Sequence, residues 1–257
     1  MVWRFIWSPL RDGVARTFPA TSAFYLSGAS ESMMVLRMTR ILAAWRHLIC
    51  LAAMGLMTIG AQAQQRTVAL PLADGFDYPV GKPDAKGYYV ARGLRLRSPM
   101  HFGEDWNGLS GGDTDMGDPI YAIADGVVMF SYDCQGGWGN VVLIRHAYRD
   151  PQTGQVRFCD SQYAHLLQRG VKVGDMVKRG QQIGTLGSNR GMYAAHLHFE
   201  IRHNLTIGMQ RDSVPSTMEN WADPRSFIVK YRKLNREWRK QATPVGTYTD
   251  YHGLKGL

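Results

Sequence analysis

The chain has 257 residues, of which 45% are hydrophobic and 20% are charged. This length and composition are ordinary for a globular protein of one or two domains, and they exclude a fibrous or largely disordered chain. The formal net charge is +9, and it falls to +5 without the six arginines and two acidic residues of 1–63. A bias this weak does not predict nucleic-acid binding.

Residues 38–63 have the pattern of a secretory signal peptide. A basic start with Arg40 and Arg46 precedes an apolar run from Leu48 to Ile59, and Ala61-Gln62-Ala63 is a small-x-small cleavage site. The apolar run is short for a bilayer span. We therefore expect cleavage after Ala63, with retention as an uncleaved anchor as the alternative.

The preceding residues 1–37 show no sustained period, and the signal pattern begins with its own methionine, Met38. We interpret 1–37 as an over-extended reading frame. Export predicts a periplasmic location, with release from the cell as the alternative. In that oxidising compartment Cys134 and Cys159 form an even pair, so we predict a disulfide worth about 3 to 4 kcal/mol in the loop-entropy model. Two buried thiols are the alternative.

The remainder of the chain predicts an all-β fold. Residues 64–100 are polar and rich in turn signals, which indicates a lead-in segment. From Pro119 onward, short β-type runs recur at roughly ten-residue spacing with no convincing helical period between them. The runs are 120–124, 127–132, 141–146 and 156–166. This pattern is typical of an antiparallel, barrel-like sheet.

Two stretches carry candidate metal ligands. His101 and Asp105 lie four residues apart beside a glycine that lets the backbone bend, a spacing that suits two ligands of one ion. Residues 195–201 alternate as a strand, which puts His196, His198 and Glu200 on one face and apolar side chains on the other. Glu200 could orient an imidazole from behind or make a surface salt bridge.

The C-terminal part, 229–257, is interpreted as a basic helix and tail. Asp223-Pro224 begins a short helix in which Phe227, Tyr231, Leu234 and Trp238 recur at helical spacing. Its other positions are rich in Lys and Arg, which indicates either weak contact with an anionic envelope surface or a solvated basic face. Residues 241–257 are expected to form a loose tail.

These motifs together resemble the lysostaphin-like, or LytM-type, zinc metallopeptidases that cleave peptidoglycan peptides. The segments that carry the resemblance are His101-x-x-x-Asp105, Tyr163-Ala164-His165-Leu166 and His196-x-His198, within residues 101–228. The resemblance implies one zinc ion held by His101, Asp105 and His198, with His165 and His196 as the catalytic pair. It also implies a peptidoglycan peptide as substrate.

The residue types agree with that chemistry. Two imidazoles and a carboxylate with an open fourth position are a catalytic zinc set, because structural zinc is closed by four protein ligands. The sequence has no His-Glu-x-x-His motif to supply a glutamate base. His196 is the candidate base and His165 the candidate donor, although the sequence leaves the two roles interchangeable. Water is the nucleophile, so no acyl-enzyme is expected.

Two other functions compete with hydrolysis. A non-catalytic member of the same fold could activate another wall hydrolase, but such members characteristically lack some metal ligands. Residues 171–185 resemble half of a lipoyl or biotinyl carrier barrel, but the modifiable lysine at the hairpin tip is missing. The sequence therefore predicts an exported zinc endopeptidase and does not identify the bond cleaved or a protein regulator.

Overall fold

The computed structural model describes residues 64–257. The expected signal peptide and the segment before it lie outside the described residues. Within the described range, no helix is long and apolar enough to cross a membrane.

Antiparallel strands dominate the described part of the chain. The strands are β1 (Thr67–Pro71), β2 (Tyr88–Arg92), β3 (Glu104–Gly108), β4 (Pro119–Tyr121), β5 (Gly126–Asp133), β6 (Asn140–Arg149), β7 (Val156–Leu166), β8 (Gln168–Arg169), β9 (Met176–Val177), β10 (Gln182–Thr185), β11 (Leu197–Arg202), β12 (Trp221–Ala222) and β13 (Lys240–Pro244). The helical elements are a turn at Gly81–Ala85, a 3-10 turn at Arg211–Ser213 and the α-helix α1 (Pro224–Lys230). The predicted antiparallel all-β fold is confirmed.

The strands form three sheets, of which the largest carries the candidate site. Its strand order is β2-β3-β11-β7-β6-β5-β9, with β12 beside β11. The smaller sheets are β4-β10-β8 and the pair β1-β13. The strand predicted over 156–166 is β7 with those bounds.

Strand β11 is central to this sheet and is buried along its whole length. Leu197, Phe199 and Ile201 pack into the larger hydrophobic core, while His198 and Glu200 alternate onto the other face. In register, His198 lies opposite Asp105 of β3 on one side and Ala164 of β7 on the other. The β3-β11-β7 ladder therefore brings residues from distant parts of the sequence side by side.

The predicted short helix after Asp223 is present but ends before Leu234 and Trp238, and the predicted loose tail is wrong. Helix α1 begins after Asp223, whose carboxylate accepts a hydrogen bond from the Ser226 amide, and it ends at Lys230. Phe227 is buried against Phe76 of the lead-in segment, with ring centroids 5.0 Å apart. The tail contains β13, which pairs with β1 from the other end of the described chain. Trp238 lies beyond the helix and is 87% exposed.

Several basic residues of the C-terminal part pair with acidic residues of the same domain. Arg232 lies 2.7 Å from Asp77, and Arg236 lies 2.7 Å from Asp74. These pairs fasten the segment after α1 to the lead-in segment. The two guanidinium charges are therefore compensated within the fold.

The predicted disulfide between Cys134 and Cys159 is not formed, and both cysteines are free. The Cys134 amide donates to Gly139 just before β6 begins, whereas Cys159 lies opposite His146 near the other end of β6. At about 3.3 Å per residue, these points are roughly 20 Å apart, well beyond the 7 Å limit for a bridge. The two side chains also contact different hydrophobic cores.

Candidate metal centre

His101, Asp105 and His198 converge on one point beside the β3-β11 ladder of the large sheet. His101 Nε2 lies 2.9 Å from Asp105 Oδ1 and 3.1 Å from His198 Nδ1. His198 Nδ1 lies 2.9 Å from the same Asp105 oxygen. A tetrahedral ion with ligands at about 2.0 to 2.1 Å would separate them by roughly 3.3 Å, so the triangle has the right size for zinc.

The protonation of the two imidazoles supports this fit. His101 Nδ1 lies 2.9 Å from the Gly93 carbonyl oxygen, and His198 Nε2 lies 2.9 Å from Glu200 Oε1. Both partners can only accept, so these two nitrogens donate, and His101 Nε2 and His198 Nδ1 are the nitrogens turned toward Asp105. Two ring nitrogens and a carboxylate oxygen therefore face one another, an arrangement that a bound cation would satisfy.

The carboxylate of Asp105 is held in its charged form. Burial opposes ionisation, but the imidazoles of His101 and His198 outweigh it and keep the pKa of Asp105 well below its usual range. A deprotonated carboxylate is the form that binds a metal ion.

Gly103 has a steric role between His101 and Asp105. A Cβ built there would overlap the carbonyl oxygen of Phe199 and lie 2.8 Å from Cγ of Glu200. The backbone bends at Gly103 as expected, although its φ is not in the left-handed region. The close approach of β11 requires the missing side chain.

His165 and His196 flank the triangle and do not belong to it. His196 Nε2 lies 3.8 Å from Asp105 Oδ1, and the His165 and His196 ring centroids are 4.9 Å apart. The His196 Nδ1–H donates to the Ala194 carbonyl at 2.8 Å, and the His165 Nδ1–H donates to Trp138 at 3.2 Å. In both rings Nε2 is therefore the nitrogen available to a substrate.

His165 is held in an uncommon state. Its φ of 64° lies in the left-handed region, which a residue of this size rarely adopts without a surrounding structure that enforces it. Burial is the main cause that lowers the pKa of His165 to about 3, and the neighbouring His198 and His196 add to it. The ring is therefore neutral around pH 7.

Behind His198, a buried polar network holds Glu200. Its Oε2 accepts from Arg202 Nε at 2.8 Å and from Trp221 Nε1 at 3.1 Å, and its Oε1 also accepts from Gln162 at 3.3 Å. Burial raises the pKa of Glu200, but the Arg202 charge and the His198 hydrogen bond outweigh it and lower the value to about 2. Of the two sequence interpretations, the surface salt bridge is wrong because Glu200 is fully buried.

The triangle opens into a cavity of about 400 Å³. Its walls include side chains that the sequence interpretation did not single out, namely Arg92, Met100, Trp138, Tyr193 and Arg211. Of these five, only Trp138 had a sequence feature that could have suggested a place in the cavity, its position inside the glycine-rich turn 136–139. The other four come from segments whose positions depend on the tertiary fold.

The segment that carries the site is similar in sequence to known proteins. The model of peptidase family M23 matches residues 101–210. Lipoprotein NlpD of Yersinia enterocolitica is 38% identical over 87 residues, which cover 34% of this chain and 79% of NlpD. The chain belongs to peptidase family M23. The matched segment contains all five candidate site residues, listed as His101, Asp105, His165, His196 and His198.

Two further M23-type similarities involve larger proteins. The peptidoglycan DD-endopeptidase ShyC of Vibrio cholerae is 42% identical over 104 residues, or 40% of this chain, and the chain spans 21% of ShyC. The solved structure of the antimicrobial peptidase lysostaphin from Staphylococcus simulans is 26% identical, with a TM-score of 0.43. That match covers 61% of this chain and 53% of lysostaphin.

Proposed function

We propose that this M23 family member is an exported zinc endopeptidase that hydrolyses peptide cross-links or bridges of bacterial peptidoglycan. The observation that carries the proposal is the convergence of three potential ligand atoms, from His101, Asp105 and His198, within 3.1 Å of one another. Similarity to ShyC, named as a peptidoglycan DD-endopeptidase, supports the substrate class.

In this proposal, His101, Asp105 and His198 hold the ion. The chemistry that zinc supplies at such a site is polarisation of the scissile carbonyl and a lowered pKa of water, to about 7. Gly93 and Glu200 fix the two ring tautomers through the hydrogen bonds described above, so the ligands need no rearrangement before the ion binds.

His196 and His165 handle the proton in this mechanism. The His196 ring stands beside Asp105 with Nδ1 engaged by the Ala194 carbonyl oxygen, so Nε2 is the nitrogen that can accept the proton that the attacking water loses. The nitrogen can then return this proton to the leaving amine. His165 presents a second bare Nε2 on the adjacent wall, and it is the alternative acceptor. The exchangeable roles predicted from the sequence stay open between these two rings.

Metal analysis combined with digestion of purified sacculi tests the function. The wild-type chain should contain one zinc and release peptides, and a chelator should stop the release. His198→Ala should lose both zinc and hydrolysis, whereas His196→Ala should keep zinc and lose hydrolysis.

His252→Asn is the matched control, because His252 is exposed and asparagine tolerates its left-handed backbone. It should behave as wild type in both measurements. Zinc-loaded wild-type protein that leaves sacculi intact would contradict the proposed hydrolysis and favour a non-catalytic activator. Normal turnover by His196→Ala would exclude His196 as the base.

Export is part of the proposal and has a separate test. Sequencing the N-terminus of the protein recovered from the periplasm should give a chain that begins at Gln64, directly after Ala63. A mature start within 1–37 would contradict both the signal peptide and the interpretation of 1–37 as an over-extended reading frame.

A further inference from the structure

Two arginines line the same cavity as the metal ligands. Arg92 ends β2 and lies directly opposite Asp105 in the strand register, so Arg92, Asp105 and His198 form one row across β2, β3 and β11. Arg211 approaches from the segment after β11. Asp105 is the single acidic residue lining this cavity in the described part of the chain.

The Arg211 guanidinium lies over two aromatic rings. Its Cζ lies 4.6 Å from the ring centroid of Trp138 and 5.1 Å from that of Phe102. Trp138 in turn lies edge-on to His198, with centroids 5.7 Å apart. Stacking of this kind orders a guanidinium while its N–H edge stays available for a bidentate acceptor.

Arg92 and Arg211 differ from several arginines of the described fold in having no carboxylate partner there. Arg145, Arg202 and Arg232 each have a carboxylate within 3 Å. No carboxylate of residues 64–257 lies within 4.0 Å of Arg92 or Arg211. Two uncompensated guanidinium groups, one of them ordered by aromatic rings, line the cavity in which an amide would be cleaved, and they are suited to bind a carboxylate of the substrate.

We propose that Arg92 and Arg211 form a carboxylate-binding subsite next to the scissile bond. The preferred substrate is therefore a peptide with a free carboxylate close to the cleaved amide, and an uncharged glycine bridge is a poor one. This inference rests on the proposed function. The carboxylate could be a C-terminal carboxylate or an acidic side chain, and both sources present the same two oxygens to the arginines.

Three synthetic peptides test the subsite with the zinc-loaded full chain. They are a stem-type peptide with a free C-terminal carboxylate, its C-terminal amide, and the same amide with an acidic side chain beside the scissile bond. A charge-assisted hydrogen bond predicts that kcat/KM for at least one carboxylate peptide exceeds that for the plain amide by about ten- to a hundredfold. The carboxylate peptide that shows the preference identifies the source.

Arginine variants show whether the preference comes from these two residues. Arg92→Gln and Arg211→Gln should each reduce this preference, measured as the ratio of kcat/KM for the carboxylate peptide to kcat/KM for the plain amide, chiefly by raising KM for the carboxylate peptide. Arg211→Lys should recover only part of it, because lysine has no planar fork. Arg97→Gln is the matched control from the same lead-in segment, outside the cavity lining, and it should match wild type.

Binding gives a second readout that does not depend on turnover. Isothermal titration of the three peptides into zinc-loaded His196→Ala should show the same order of affinities. The triple variant that also carries Arg92→Gln and Arg211→Gln should bind the three peptides with equal affinity. Equal affinity for carboxylate and amide peptides, or a preference unchanged in that variant, would overturn the subsite. Preferential binding without hydrolysis by wild type would overturn the proposed function alone.

Discussion

Glu200 Oε1 lies 2.9 Å from Nε2 of His198, on the side of the imidazole ring away from Asp105. The carboxylate thereby fixes which nitrogen of His198 faces Asp105. The second Glu200 oxygen binds Arg202, and both residues are buried. This pair links the geometry of the site to the stability of the sheet behind it.

Glu200→Gln should therefore affect both zinc affinity and folding. Loss of the charged acceptor should weaken zinc binding by about 10- to 100-fold, and the unpaired Arg202 should lower the free energy of unfolding by about 3 kcal/mol. Competition with a chromophoric chelator and urea unfolding measure the two effects. Glu219→Gln is the matched control at an exposed glutamate, and an unchanged zinc affinity in Glu200→Gln would refute the orienting role.

Gly103→Ala should disturb the site although glycine is no ligand. The added methyl group would overlap the Phe199 carbonyl, so β3 and β11 would have to separate at the point where Asp105 faces His198. We expect a loss of about 1 to 3 kcal/mol of stability together with weaker zinc binding. Gly93→Ala is the control because a Cβ there meets no atom within 4 Å. Unaltered zinc binding in Gly103→Ala would contradict the steric explanation.

His146 predicts how stability depends on pH. This ring is fully buried and lies 2.8 Å from Ser161 Oγ and 2.9 Å from the Asp125 carbonyl oxygen. Burial lowers the pKa of His146 to about 4. The unfolded chain, with a histidine pKa near 6.5, then takes up a proton that the folded chain does not. His146 therefore lowers stability as the pH falls from about 6.5 to 4, by about 3 kcal/mol in total.

Unfolding measured across that pH range, with a chelator present to exclude metal release, checks the effect. His146→Gln cannot take up this proton, so its unfolding free energy should fall less steeply with acidification than that of wild type. His252→Asn serves again as the exposed control. Parallel curves for wild type and His146→Gln would show that His146 titrates normally in the fold.

The cysteines give a test that needs no substrate. Alkylation of unreduced protein in denaturant, followed by peptide mass mapping, should find both Cys134 and Cys159 modified. Under native conditions Cys159 should be protected, because burial raises its pKa well above the ordinary value and excludes the reagent. A peptide pair joined through Cys134 and Cys159 would contradict the register of β6 and β7.

Much of the candidate site could be predicted because its signals are local. The alternation of residues 195–201 depends only on the pleat of a strand, and the structure places His198 and Glu200 on one face with Leu197 and Phe199 on the other. The other two ligands, His101 and Asp105, were predicted from their four-residue spacing and from the order of the motifs along the chain. The structure brings these side chains together, while the bound ion and the catalytic roles stay predictions.

The C-terminal part was predicted wrongly because its structure depends on contacts between residues far apart in the sequence. The helical spacing that ends at Trp238 continues past Lys230, but the segment beyond the helix is held by ion pairs to Asp74 and Asp77. The pairing of β13 with β1 joins residues more than 160 positions apart, which no local pattern reveals. Arg92 and Arg211 were not predicted for the same reason, since each reaches the cavity only through the tertiary fold.

The position of His198 between Asp105 and Ala164 also bears on how the chain folds. Side chains alternate along a strand, so a shift of β11 by one residue would turn Leu197 toward the cavity and His198 into the hydrophobic core. A slipped alignment thus has no ion site at all. In the proposed zinc protein, an ion bound during folding would stabilise the native register of β11 and not the shifted one. The metal would then help to select the correct strand pairing.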